Sequence, residues 1–153
     1  MATEFRYDVF ISYRRQEPDY AFARELTQWL ESDGYLVASD EKNIRVDTSW
    51  VAELERIISE SRSIILVVSP RYLNSDYTKE ETLFSKELSI SERQRRIIPI
   101  IIEKVRLPYW LAPIQHLDMS SDKQLSAKYE RLKEALGIPI LASLPPEGAN
   151  AGR

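Results

Sequence analysis

The chain contains no cysteine, one histidine and only four glycines among its 153 residues. Without cysteine there is no disulfide framework, no thiol nucleophile and no thiolate metal site, a composition that suits a reducing compartment. Glycine is confined to Gly34, Gly137, Gly148 and Gly152, so neither the G-x-G-x-x-G dinucleotide fingerprint nor the Walker phosphate loop is present, and ordinary dehydrogenase and ATPase readings are poor. No apolar run reaches the roughly 18 residues of a membrane span, and no charged and then apolar leader opens the chain, so the sequence predicts neither span nor signal and a cytoplasmic location. A strong excess of one charge is missing as well. With 24 acidic and 21 basic side chains, the net charge of -3 gives no general attraction to nucleic acid. The basic cluster Arg93-Gln94-Arg95-Arg96 directly precedes an apolar run and reads as a solvated approach to a strand rather than a phosphate patch. His116 reads as a packed or surface residue rather than an acid or base. No metal and no resident cofactor are expected.

What is present is the pattern of one α/β domain. At 43% hydrophobic residues the chain supports one sizeable core, since a domain of this length buries roughly 68–70% of its unfolded surface. The run Phe5 to Arg15 reads as a buried first strand that stops at Ser12, Tyr13, Arg14 and Arg15. Pro18-Asp19 opens a helix with apolar positions Phe22, Leu26, Trp29 and Leu30, and Ser32-Asp33-Gly34 ends it. Tyr35 to Ala38 form a short second strand, and Ser39 to Val46 a polar loop. Asp47-Thr48-Ser49 cap a helix with the stripe Trp50, Leu54, Ile57 and Ile58. Ser63 to Ser69 is apolar without alternation and rich in β-branched residues, as a parallel strand covered on both faces should be. Ile97 to Ile102 repeats that character, with Pro99 favouring a place near a strand end or at an edge. Leu107 to Pro113 reads as a turn or short helix, Ile114 to Met119 as a final strand, and Leu125, Tyr129, Leu132 and Leu136 as a closing helix ended by Gly137. The domain is expected over 5–137. Residues 138–153 have the composition of a terminal extension or of a linker to a further domain.

Alternating strands and helices joined by right-handed crossovers give an open parallel sheet with helices on both faces. Ligands of such sheets bind beyond the carboxyl ends of the strands. Arg14, Arg15, the loop after the second strand and Ser69 all fall there. A phospho-acceptor response regulator shares the layout but needs an acidic pair after the first strand, where this chain has Ser12-Tyr13-Arg14-Arg15. From Ser69 the chain runs through Tyr72, Ser75 and Tyr77 into a helical pattern containing Glu80, Glu81, Phe84 and Leu88. At about 100° per residue, Tyr77, Phe84 and Leu88 share a face with the two carboxylates on its flanks. Periodicity does not choose between Glu80 and Glu81, and both also suit a first helical turn by charge–dipole interaction.

Over about residues 5–136 the chain resembles the Toll/interleukin-1 receptor (TIR) domain family. Asp8-Val9-Phe10-Ile11-Ser12-Tyr13 looks like its box 1, Asp40-Glu41-Lys42-Asn43-Ile44 through Trp50 like the loop and helix of box 2, and Tyr109-Trp110 is a weaker echo of box 3. Ser69-x-x-Tyr72-x-x-Ser75-x-Tyr77-x-x-x-Glu81 is similar to the segment with the catalytic glutamate in NAD-cleaving members, and its spacing selects Glu81. The resemblance implies a flavodoxin-like, five-stranded parallel sheet of order 2-1-3-4-5. It also implies NAD+ as substrate, cleavage at the nicotinamide–ribose bond, and a microbial effector domain of antiviral defence activated by self-association and coupled to a sensor domain. Glu81 is then the catalytic residue, with Tyr13, Arg14, Arg15, Ser69, Tyr77 and Trp50 lining the substrate site. Trp50 also fits the core, and Arg14 and Arg15 also fit a solvated surface. The loop Asp40, Glu41, Lys42, Asn43, Ile44, Arg45, Val46 and Asp47 is implied in assembly. Two departures stand out: Tyr77-Thr78 replaces the usual aromatic-Cys pair, and Asp47 stands where many relatives have Gly. Asp47 bears on the shape of that loop, the missing Pro-Gly pair of receptor-type members brings the chain nearer to microbial and enzyme-like members, and Tyr77-Thr78 keeps a non-catalytic adaptor or decoy as the second reading.

Overall fold

Five parallel strands carry the architecture: β1 (Tyr7–Ser12), β2 (Val37–Ser39), β3 (Ser61–Val68), β4 (Arg96–Ile101) and β5 (Leu117–Asp118). The computed structural model describes residues 5–14, 16–39, 56–73, 96–108, 111–112, 115–121, 126, 128–137 and 139. The strands line up as β2-β1-β3-β4-β5, the order and direction expected. Register is fixed by pairs such as Val9↔Val37, Ile11↔Ile65 and Val67↔Ile100. The described helices are α1 (Asp19–Ser32), α2 (Pro70–Leu73) and α3 (Tyr129–Leu136), with a further helical turn at 56–59.

Alternation along each strand sends successive side chains to opposite faces, and both faces are buried. One core contains Val9, Ile11, Ile65, Val67, Ile98 and Ile100 under α1 and α3, which contribute Ala23, Leu26, Leu30, Leu132 and Leu136. The other contains Phe10, Ile64, Leu66, Val68, Ile97 and Ile101, covered by Ile57, Ile58 and Leu111. This two-sided burial explains why the strands read as continuous apolar runs instead of alternating ones. Of the helical stripe predicted around Trp50, Ile57 and Ile58 are fully buried, whereas positions 50 and 54 lie outside the described residues.

Pro99 stands in β4, which lies between β3 and β5 and is not an edge. The backbone shows why proline is tolerated. Ile102 donates its N–H to the Val68 carbonyl at 3.0 Å, so by the two-residue period Pro99 turns its nitrogen away from β3 and towards β5. Pairing with β5 begins only at Ile100↔Leu117, so the missing donor breaks no ladder bond. Other strand boundaries also differ from the sequence reading, and β5 is only Leu117–Asp118. β2 starts at Val37 instead of Tyr35, where its pairing with Val9 starts. β3 starts at Ser61, opposite Tyr7, and releases Ser69 from the ladder.

At the amino edge of the sheet, α1 ends in a Schellman turn: Gly34 N–H donates to the Glu31 carbonyl (3.1 Å) and Tyr35 N–H to the Leu30 carbonyl (3.0 Å). Gly34 takes φ +93° there, a left-handed value that glycine adopts without Cβ strain. Buried Asp8 accepts from Leu36 N–H at 2.9 Å. Asp33 accepts from the Tyr129 hydroxyl (2.7 Å) and from Lys133 Nζ (3.2 Å). The Tyr129 hydrogen bond first, and Lys133 second, hold the Asp33 carboxyl below its usual value. Trp29 meets the Tyr129 ring edge-on at 4.9 Å. The end of α3 is tied down by two side chains, the Tyr35 hydroxyl donating to the Gly137 carbonyl and Arg62 Nη2 to that of Leu136 (3.2 Å).

Candidate functional site

The order β2-β1-β3 makes β1 and β3 the neighbours at which the chain reverses its direction of travel across the sheet. In open α/β sheets the crevice beyond the carboxyl ends of such strands is where ligands bind. Ser12, the last residue of β1, is buried and shares a 2.9 Å hydrogen bond with the Tyr72 hydroxyl of α2. Tyr13 is also buried and stacks on Tyr20 of α1, with centroids 6.0 Å apart and planes 17° from parallel. Arg24 lies over the Tyr20 ring at 5.4 Å, within cation–π range. Arg14, half-buried, leaves the core at the turn where its carbonyl accepts from Gln16 N–H at 2.8 Å.

Asp19, the first residue of α1, is the hub of this edge. A carboxylate at a helix start is favoured by the helix dipole, but this one is completely buried, and a buried charge persists only when it is paired and hydrogen-bonded. The Ser69 hydroxyl donates to Asp19 Oδ2. Arg71 donates from Nε (3.0 Å) and Nη2 (2.8 Å) to Oδ1. The same Nη2 reaches Glu103 Oε1 at 2.7 Å, just beyond the end of β4. Glu103 is the largest cause holding the Arg71 guanidinium even further than usual from deprotonation, with burial opposing it and Asp19 adding to it. Ser69 also accepts from Tyr72 N–H at 3.0 Å, so it caps α2 in the manner expected of a serine before Pro at the first helical position.

Beside this hub is a cleft of about 400 Å³ lined by Pro18, Ala21, Phe22, Glu25, Ile102 and Met119. Its walls are apolar, and Glu25 alone brings a charge. Among the described residues no group of His, Asp or Glu is arranged to hold a metal ion. His116 is exposed before β5. No described helix is long and apolar enough to cross a membrane.

Three of the predicted site residues are therefore placed. Tyr13 and Ser69 both converge on the first turn of α1, Tyr13 through Tyr20 and Ser69 through Asp19, with Arg14 following Tyr13. Arg15, Trp50, Tyr77, Glu81 and the Asp40 to Asp47 loop lie outside the described residues. Sequence reasoning named Asp19 only as a helix start and Tyr72 only within the motif, and missed Arg71 and Glu103. The Ser69-Pro70 pair was a legible cap signal, but the contacts of Arg71 span 52 and 32 residues and leave no local pattern.

Comparison with known proteins agrees with this fold. A sequence model of the family described as "TIR domain" matches residues 9–133. The TIR domain of the Toll-related receptor TRR-2 from Hydra magnipapillata superposes with a TM-score of 0.70 at 22% identity, over 85% of this chain and 98% of that one. A metazoan TIR-STING receptor from C. gigas, in complex with 2',3'-cGAMP, gives 0.70 at 22% identity over 91% of this chain, which spans only 42% of the receptor's length. The TIR domains in the activated Roq1 resistosome, which directly recognises the pathogen effector XopQ, give 0.55 at 25% identity over 91% of this chain and 85% of that one.

Proposed function

The chain belongs to the TIR domain family, and from that premise we propose that it is an NAD+ hydrolase of the microbial type, a defence effector switched on by self-association. The observation that carries the reading is the origin of the segment bearing Glu81. That segment leaves the central strand β3 at Ser69, on the same carboxyl edge as Tyr13 and Arg14.

In this reaction the bond between nicotinamide and the ribose anomeric carbon breaks, and its electron pair leaves with nicotinamide. The departing ring loses its pyridinium charge by that step, so it needs no strong general acid. Positive charge develops on the ribose, and water adds to the anomeric carbon and releases a proton. Glu81 holds the ribose hydroxyls and stabilises the oxocarbenium-like state, since fixed negative charge helps most where positive charge develops. Arg14 and Arg15 engage the pyrophosphate, Tyr77 and Trp50 shape the pocket, and Tyr13, stacked on Tyr20, orders the end of β1. Ser69, with its hydroxyl engaged by Asp19 and Tyr72, fixes the floor. The Asp40 to Asp47 loop of one copy completes the site of the next. The presence of the Roq1 TIR domains in an activated resistosome supports assembly as the trigger, with a sensor domain supplying the signal.

The test is nicotinamide release from NAD+, measured by chromatography for wild type and Glu81→Gln at matched assembly on a multivalent surface. Release by wild type and loss in Glu81→Gln are expected. Greater loss in Glu80→Gln would transfer the role to Glu80, and no release from assembled wild type would favour the second reading. That second reading, a TIR interaction module without catalysis, is favoured by Tyr77-Thr78 in place of the aromatic-Cys pair.

A further inference from the structure

We infer that Arg71 is a positioning residue that sets the direction in which the chain leaves β3, by clamping the start of α2 to the head of α1 and to the end of β4. Three connections meet at its guanidinium: Asp19 opens α1 after β1, Arg71 itself lies in α2 after β3, and Glu103 follows β4. The donors suit a clamp, because Nε and Nη2 grip one oxygen of Asp19 while Nη2 also reaches Glu103. A planar fork holds two carboxylates at fixed angles, whereas a lysine ammonium is a single point of charge on a flexible stem.

The position of the clamp gives it consequence. Asp19 starts α1 and is fully buried, so it is the anchor of the clamp. Ser69 and Tyr72, on either side of Arg71, are fixed by Asp19 and by Ser12 respectively. With Ser69, Arg71 and Tyr72 held in this way, α2 has a defined position at the start of the segment that bears Tyr77 and Glu81. A carboxylate that must meet a ribose depends on such a position, since a misplacement of about 1 Å costs on the order of 10²-fold in rate. In its catalytic consequence this inference rests on the NAD-cleaving reading; its structural content does not.

The test uses the full chain as wild type, Arg71→Lys, Arg71→Met and Glu103→Gln. Nicotinamide release is resolved into kcat and KM, and amide hydrogen exchange is followed in 69–73 and, as a distant reference, in 129–136. The clamp requires that Arg71→Lys lower kcat by about tenfold or more with KM nearly unchanged. It also requires exchange in 69–73 to quicken by about tenfold while α3 keeps its wild-type protection. Glu103→Gln, which leaves the Asp19 contacts in place, should show the same pattern more weakly. If Arg71→Met fails to fold, the lysine and glutamine variants decide. Wild-type kcat and exchange in Arg71→Lys would overturn the inference, as would equal quickening in 69–73 and 129–136, which marks general destabilisation. If wild type releases no nicotinamide, the enzymatic reading fails, and the exchange contrast alone decides for or against the clamp.

Discussion

Replacing Arg71 by methionine should destabilise the domain more than replacing its partner Asp19 by asparagine, although each change removes the same ion pair. The asymmetry lies in what is left behind. Without Arg71, the Asp19 carboxylate remains fully buried with the Ser69 hydroxyl still donating to it. Removing one partner of a buried pair costs roughly 3–5 kcal/mol. Because the Arg71 side chain is 27% exposed, the lower end, about 3 kcal/mol, applies. Without the Asp19 charge, Arg71 keeps Glu103 at 2.7 Å and turns further into water, and the asparagine oxygen still accepts one hydrogen bond. That loss should be about 1–2 kcal/mol. In a double variant the stranded carboxylate is gone, so it should be no less stable than Arg71→Met alone. Urea titration followed by tryptophan fluorescence, using Trp29 packed on Tyr129, measures all three. The corresponding drop in Tm for Arg71→Met is about 6–12 °C at this chain length. An Asp19→Asn variant as unstable as Arg71→Met, or a double variant worse than both, would refute the buried-charge argument.

Asp33 has a folded pKa below its ordinary 3.8, chiefly through the Tyr129 hydroxyl, so its contribution is complete above that value and disappears as pH falls through the lower folded one. The stability gap between wild type and Asp33→Asn should therefore be constant near neutrality and close in acid below 3.8, as read by denaturant midpoints across pH; a gap that widens in acid would contradict the sign. Gly137 takes φ +76° and ψ -173°, a region open essentially only to glycine. Although a Cβ there meets nothing within 4 Å, Gly137→Ala should cost about 1–3 kcal/mol by calorimetry through backbone strain alone. Tyr72→Phe and Ser12→Ala should each lose about 1 kcal/mol, and the double variant little more than either, because both remove one shared bond. Additive losses in a double-mutant cycle would show that the two hydroxyls work independently.

The architecture was legible because its signals are local. Ile64 to Val68 and Ile97 to Ile101 are apolar on consecutive positions, and burial on both faces is the physical reason. The ends of α1 were legible from Pro18-Asp19, where the helix opens, and from Gly34, which takes the positive φ that ends it. Strand limits were less so, since β2 and β3 begin where partners in β1 permit pairing and no residue in either strand encodes that. Pro99 shows the same limit: its tolerance depends on β5 being too short to face it. At the site, Ser12, Tyr13 and Ser69 announced themselves as polar groups closing apolar strands. The Asp19–Arg71–Glu103 clamp joins three segments distant in sequence, so only folding brings its charges together.

The anchoring of α3 has a mechanical consequence. Tyr35 and Arg62 grip the last carbonyls of that helix beside the amino edge of the sheet, whereas Tyr13, Asp19 and Ser69 crowd the opposite pole. A pull applied through the chain beyond residue 137 is thus borne by these two side chains and the Gly137 turn, and is not transmitted along a strand into the crevice.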